Sequence, residues 1–201
     1  MKNLCCQSIS HLNYELRKAT DRLRHKTKVI LGCIKQPGFY LLPGKVRTYA
    51  PVGQTPIIRA PLSRDHLSAM GGITPEGKLY LMVQERAYCG EDVVGFLKHL
   101  ARRITGKLVV IWDGAPIHRS QVVKEYLSNG AAHRIHLEQL PGYAPELNPA
   151  EGIWNYLKRV ELKNLCCQSI SHLNYELRKA TERLRHKTKV ILGCVQQPGF
   201  Y

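Results

Sequence analysis

The sequence predicts a mixed α/β fold, and two observations support this. Residues 66–73 and 78–83 alternate apolar and polar positions around the turn TPEG, which predicts a β-hairpin. Further along the chain, short apolar runs typical of strands alternate with segments that have helical periodicity. Strands followed by alternating strands and helices indicate a mixed sheet with helices packed on its faces.

The remaining elements follow in order along the chain. Residues 46–51 and 55–61 are expected to form short strands on either side of the turn PVGQ. Residues 90–104 predict a helix, and the continuous apolar run KLVVIWD, residues 107–113, is typical of a strand buried on both faces. Helices are predicted over residues 119–130 and 149–162, with a strand over 134–140 between them.

The charge of the chain is strongly positive. Thirty Lys and Arg residues against fifteen Asp and Glu give +15, a balance that favours a polyanion such as nucleic acid over a protein that is only soluble and basic. No apolar run is long enough for a bilayer, and the first residues lack a signal-peptide pattern, so we expect a cytoplasmic protein. The seven cysteines include no CxxC pair, so we expect reduced thiols and no zinc site.

A near-identical segment occurs twice. Residues 2–40 and 163–201 differ at only three of 39 positions, with a constant offset of 161. Each copy predicts one amphipathic helix with a basic outer surface, followed by an apolar segment that can be a short buried strand or an apolar tail. Because two near-identical units are too few and too similar for a solenoid, a recent duplication explains them better.

Two acids are candidates for a metal site. Asp113 ends the predicted buried strand, where ligands bind in open α/β sheets, and Glu151 lies in the first turn of the helix that begins near Pro149. Two carboxylates suit Mg²⁺ or Mn²⁺. Taken alone, Asp113 can be a turn former, and Glu151 can simply complement the helix dipole.

The residues around these acids resemble a known family. WDGAPIH followed by LPGYAPELNPAEGIW is similar to the second and third blocks of mariner-like insertion-sequence transposases, which are DDE superfamily members with an RNase H-like fold. The resemblance implies that Asp113 and Glu151 are the second and third catalytic, metal-binding acids. It also implies that His118, Asn148 and Trp154 support the active site.

The first acid of the family is missing. Aligned on GFY, the position of the first catalytic Asp is Lys35, and a copy of the C-terminal segment stands where the family has a helix-turn-helix region. Asp65, Glu76 and Asp92 are the other acids considered for this role, and each is better explained as a turn, surface or helix-start residue. We therefore expect little or no strand cleavage.

Three regions follow from this interpretation. Residues 1–37 are a duplicate of the C-terminal helical segment, residues 38–162 are a partial RNase H-like catalytic domain, and residues 163–201 are a basic helix with an apolar tail. Basic residues that flank the acids in sequence can contact a DNA backbone or simply face solvent: Arg102, Arg103, Lys107, Lys158, Arg159 and Lys163.

The expected function is that of a transposase catalytic domain, rearranged or truncated, that uses Mg²⁺ or Mn²⁺ to cleave DNA and transfer strands. DNA is the expected partner, a homodimer is possible, and no small-molecule cofactor is expected. The alternative is a non-catalytic module that binds DNA or associates with itself, with the helical repeats exchanged between chains. A reading frame that folds only in part is the third option.

Overall fold

The computed structural model describes residues 63–141 and 147–196 continuously, together with residues 14, 27–30, 38–42, 44, 47, 49–54, 57 and 59. Lys35 and most of the first repeat copy lie outside these residues. The described residues form two three-stranded sheets, and helices pack against both of them. The strands are β1 (Thr27–Ile30), β2 (Gly38–Tyr40), β3 (His66–Ile73), β4 (Leu79–Gln84), β5 (Lys107–Trp112) and β6 (Ile135–Gln139).

One sheet is antiparallel and the other is parallel. β3 pairs with β2 and β4, and the predicted hairpin is confirmed, with Gly77 of its turn at φ +80. β5 lies between β1 and β6 and is parallel to both. The helices are α1 (Gly90–Arg103), α2 (Gln121–Ser128), α3 (Pro149–Tyr156), α4 (Ile170–Arg185) and α5 (Thr188–Gln196).

Helices cover both faces of β5. Leu108, Val110 and Trp112 pack in one core with residues of α1 and α2, whereas Val109 and Ile111 pack in a second core with residues of α3, α4 and α5. β3 divides its side chains between the same two cores, since Met70 lies in the first and Ala69 in the second. The predicted mixed α/β fold with helices on both faces is confirmed, although the described strands pair as one antiparallel and one parallel sheet and not as a single mixed sheet.

Some predicted elements differ from the structure. The positions of residues 46–51 and 55–61 that the structure describes lie outside strands, and the other positions of these two predicted strands lie outside the described residues. The turn between them forms, with Gln54 N–H donating to the Pro51 carbonyl at 3.0 Å. The apolar tail predicted after the basic helix is instead helix α5, whose Ile191 and Val195 are fully buried. An apolar stripe that can pack against α3 favours a helix here.

The alternative acids have the structural roles expected of them. Asp92 accepts the Cys89 N–H at 2.9 Å at the start of α1 and pairs with Arg86 through two contacts of 2.7 Å. Asp65 is exposed and accepts from the Ser63 hydroxyl in the segment just before β3, and Glu76 lies in the hairpin turn. No helix in the described residues combines the length and apolar character that a membrane span requires.

A buried glutamate ties the repeat segment to the domain. Residues Leu157–Glu161 continue α3 as a π-helix, and the side chain of Glu161 is only 5% exposed. Its carboxylate accepts from Arg183 Nε and from Lys187 Nζ, both at 2.7 Å. Burial alone would raise the pKa of Glu161, but hydrogen bonds from Lys187 and Arg183 outweigh burial and lower it. The ionised form is therefore the one that the fold stabilises.

Glu161→Gln should lower the free energy of unfolding by about 1–3 kcal/mol at neutral pH, because Arg183 and Lys187 would lose an ionised partner but remain half exposed. A carboxyl with a lowered pKa in the folded state stabilises the fold above its unfolded pKa, and this contribution is lost as pH falls. The difference between variant and wild type should therefore shrink below about pH 4. Denaturant titrations across this range measure it.

Glu182→Gln is the matched control for that measurement. Glu182 is 59% exposed and pairs with Arg185 within one helix, so its loss should change stability by less than about 0.5 kcal/mol. Equal effects of the two substitutions, or an effect of Glu161→Gln that does not depend on pH, would show that the contacts of Glu161 with Arg183 and Lys187 do not stabilise the fold.

Candidate active site

Asp113 emerges at the carboxyl end of the most buried strand. Leu108, Val109, Val110 and Ile111 of β5 are all 1% exposed or less, which fixes the path of the strand, whereas the side chain of Asp113 is 27% exposed. Leu140 N–H donates to the Trp112 carbonyl at 2.8 Å, so the chain after β6 leaves at the same edge. The sheet thus presents one half-exposed carboxylate at the end of a rigid strand.

A short 3₁₀-helix (Pro116–Arg119) holds this carboxylate in place. Asp113 Oδ1 accepts the Ala115 N–H at 3.0 Å and lies 3.0 Å from His118 Nε2. Because an ionised carboxylate can only accept, Nε2 carries the proton and donates it. The His118 ring is buried and stacks on Trp112 with its centroid 4.5 Å away. His118 therefore holds the Asp113 carboxylate, and its role as active-site support stays a prediction.

Glu151 is the third residue of α3, and the cap of that helix sets its position. The Asn148 side chain, which is buried, accepts the Ala150 N–H at 3.1 Å, and Glu151 N–H donates to the Asn148 carbonyl at 3.0 Å. The predicted roles of Asn148 as the cap and Pro149 as the first helical residue are confirmed. Glu151 remains partly exposed.

Trp154 anchors α3 to the antiparallel sheet. It is 3% exposed and meets Phe39 edge-on at 6.2 Å, and a Cβ on Gly71 would lie 2.8 Å from its ring. A side chain at position 71 would therefore displace the indole. Trp154 fixes the start of α3 against β3. Its support of Glu151 is therefore indirect, through the position of the helix.

The basic residues predicted from sequence separate into two groups. Arg102 and Arg103 end α1 and precede β5, so they lie near the opposite end of that strand from Asp113, roughly 20 Å away along β5. The structure does not bring them to the acid. Lys158 lies over the Phe39 ring at 5.2 Å, and Arg159 is exposed beside it, about 10 Å along the helix from Glu151.

Sequence reasoning missed two residues next to Asp113. Arg119 is exposed and donates from Nη2 to the Gly114 carbonyl at 3.4 Å. Gln139 ends β6, and its Nε2 lies where a Cβ on Gly114 would come within 2.6 Å. Arg119 directly follows the DGAPIH block, so its position next to that block was the available signal. Gln139 has no local signal, because only the β5–β6 register places it there.

A carboxylate pair suits a hard divalent ion, which needs few protein ligands and keeps several waters. The described residues contain no group of three or more His, Cys, Asp and Glu that could hold a metal. Lys35, at the sequence position of the family's first acid, lies outside the described residues, and two carboxylates alone make a weaker ligand set than three. The donor chemistry still fits Mg²⁺ or Mn²⁺.

The hydrogen bond between His118 and Asp113 should give a measurable coupling energy. His118→Phe retains the stacking on Trp112 but removes a donor to the half-buried carboxylate, so a double-mutant cycle with Asp113→Asn should show about 1–2 kcal/mol of coupling. Chemical denaturation of the four proteins measures it.

The same cycle on His136 and Glu138 is the control, since that pair is 2.6 Å apart but its histidine is 43% exposed. Its coupling should stay below about 0.5–1 kcal/mol. Additive effects of the His118 and Asp113 substitutions would show that the bond does not stabilise the site.

Comparison with known proteins gives a family and a fold. The sequence model of the DDE superfamily endonucleases matches residues 33–174. No curated protein matches the chain. Among solved structures, the Mos1 strand transfer complex superposes with a TM-score of 0.60 at 15% identity, over 100% of this chain and 63% of that chain.

Two further structures give the same result. The Mos1 mariner paired end complex with Mn has a TM-score of 0.61 at 16% identity, covering 94% of this chain and 61% of that one. The Mos1 transposase catalytic domain with raltegravir and Mn has a TM-score of 0.56 at 12% identity, covering 100% and 98%. The chain thus spans about three fifths of the larger Mos1 chains and nearly all of the catalytic domain. The RNase H-like fold is confirmed.

Proposed function

Since the chain belongs to the DDE superfamily endonucleases, we propose that it derives from a transposase catalytic domain and acts on the phosphodiester backbone of DNA, with impaired cleavage. The observation that carries this proposal is the position of Asp113, held by Ala115 and His118 at the carboxyl end of a strand buried on both faces. Glu151, at the capped start of α3, supplies the second acid.

Asp113 and Glu151 would hold a divalent cation, Mg²⁺ or Mn²⁺. Mos1 complexes have been solved with Mn and with Mg. When bound, such an ion would supply Lewis-acid activation of a water or a 3′-hydroxyl and charge stabilisation for the departing oxygen. The remaining residues keep the two acids in place: His118 and Ala115 donate to Asp113 Oδ1, and Asn148 fixes the first turn that carries Glu151.

DNA is the partner that the charge supports, since +15 on 201 residues favours a polyanion. The Mos1 structures include a paired-end complex with the left transposon end. Arg119, next to Asp113, is positioned for a phosphate near the site. Lys158 and Arg159 would contact the backbone further along α3, and Arg102 and Arg103 only a distant stretch of it.

Lys35 is the reason for the impairment. It occupies the sequence position of the first acid, where a cation would repel the divalent ion instead of binding it. Loss of one essential catalytic group commonly costs on the order of 10³-fold or more in rate. A non-catalytic DNA-binding role is the second candidate, and the combination of the lysine with a high positive charge favours it.

Lys35→Asp should restore metal-dependent cleavage. In a nicking assay on supercoiled plasmid with Mn²⁺, the wild type should be slower than Lys35→Asp by about 10³-fold or more, because the third carboxylate completes the ligand set. Lys35→Asp/Asp113→Asn should return to background, which excludes a contaminating nuclease.

Lys35→Ala is the matched control, since it removes the cation without adding a ligand. Cleavage by the wild type that Asp113→Asn abolishes would overturn the impairment. If Lys35→Asp stays inactive while DNA binding remains and weakens with salt, the non-catalytic role is the correct one.

A further inference from the structure

The second repeat copy docks on one continuous face of the domain. Helix α4 packs against β3 and β4, and α5 packs against α3. The residues of α4 that enter the core lie on one stripe and are 4% exposed or less: Leu173, Leu177, Ala180 and Leu184. The elements that receive them are β3, β4 and the π-helix after α3, whose residues Ile73, Leu79 and Leu157 belong to the same core.

This face recognises α4 through charge as well as through apolar contact. Glu161 accepts from Arg183 and Lys187, and Lys187 Nζ also donates to the Tyr156 hydroxyl at 3.2 Å. Glu161 lies just before the repeated segment, so the first copy has no counterpart of this glutamate. The domain therefore offers one acidic clamp, and two segments of the chain carry the matching cations.

The first copy carries every side chain of the second copy named in these contacts. With the offset of 161, the stripe is Leu12, Leu16, Ala19 and Leu23, and the cations are Arg22 and Lys26. The one difference within this helix, Asp21 for Glu182, falls at an exposed position. Tyr14 is helical and 61% exposed, and its counterpart Tyr175 in α4 is 59% exposed. The two copies thus carry the same set of docking side chains in their sequences.

Residues of the first copy can dock without disturbing the sheet, because all six precede β1, which begins at Thr27. We propose that the α4 face is a docking site for residues 9–26 of a second molecule of this chain, which then replace α4. This association does not depend on DNA cleavage or on a metal. The chain is then a self-associating protein, and its interface is formed by its own repeated segment.

The second copy competes for the same face within its own molecule. Its short tether gives it an effective concentration in the millimolar range, so a single molecule docks its own α4 at low concentration. The first copy of a second molecule occupies the face when the packing of α4 is weakened or when the protein concentration is high. Reciprocal exchange between two molecules closes the assembly as a dimer.

The test uses the full chain with one aspartate in either copy. Leu177→Asp places a charge in the buried stripe of α4 and should shift the mass in analytical ultracentrifugation to twice the 22.8 kDa of the monomer. Leu16→Asp, the matched substitution in the first copy, should stay monomeric. Leu16→Asp/Leu177→Asp should lose the dimer, because neither copy can then fill the face.

Disulfide trapping checks the contact itself in the Leu177→Asp background. Molecules carrying Glu161→Cys, mixed with molecules carrying Arg22→Cys, should cross-link several-fold more than with Arg24→Cys, whose counterpart Arg185 contacts Glu182 and not Glu161. Equal yields would overturn the proposal. So would a Leu177→Asp protein that is monomeric, or one that unfolds to the same extent as the double variant, since the first copy would then not be filling the face.

Discussion

Burial of β5 on both faces is the constraint on which the site depends. Its side chains alternate between two separate cores, one formed with α1 and α2 and the other with α3, α4 and α5. The strand therefore cannot rotate or slide without exposing apolar surface on one side, and a slip of one residue would exchange the two faces. Asp113 follows directly, so the carboxylate leaves the sheet at a fixed point. Ala115 and His118 then fix its orientation.

Glu151, the second acid of the site, also depends on these two cores, through β6 and α3. The chain returns through β6, whose register with β5 is fixed, and the start of α3 is held by Asn148 and by Trp154 packed on Gly71. Asn148 and Pro149 thus have a structural role, although their segment looks like loop sequence, because they set the first turn of α3. Lys35 stands at the sequence position of the family's first acid, and the impaired cleavage proposed above rests on that substitution.

Sequence reasoning predicted the parts of the fold that local pattern determines. The hairpin of β3 and β4, the strand β5 and the cap of α3 each have a periodicity, a turn or a capping residue that tertiary contacts reinforce. Residues 27–30 and 188–191 share the sequence TKVI, yet the first forms strand β1 and the second begins helix α5. Pairing with β5 in one place and packing on α3 in the other decides the outcome. Positions such as Gln139 and Arg119 could not be inferred, because only three-dimensional neighbours give them a role.

The central claim is that Asp113 and Glu151 coordinate one divalent ion, and anomalous scattering from crystals soaked in Mn²⁺ tests it most directly. The account predicts an anomalous peak about 2 Å from a carboxylate oxygen of each acid. Loss of the peak in Glu151→Gln crystals should accompany it. A peak bound to only one of the two carboxylates, or no peak near either at saturating Mn²⁺, would contradict the account.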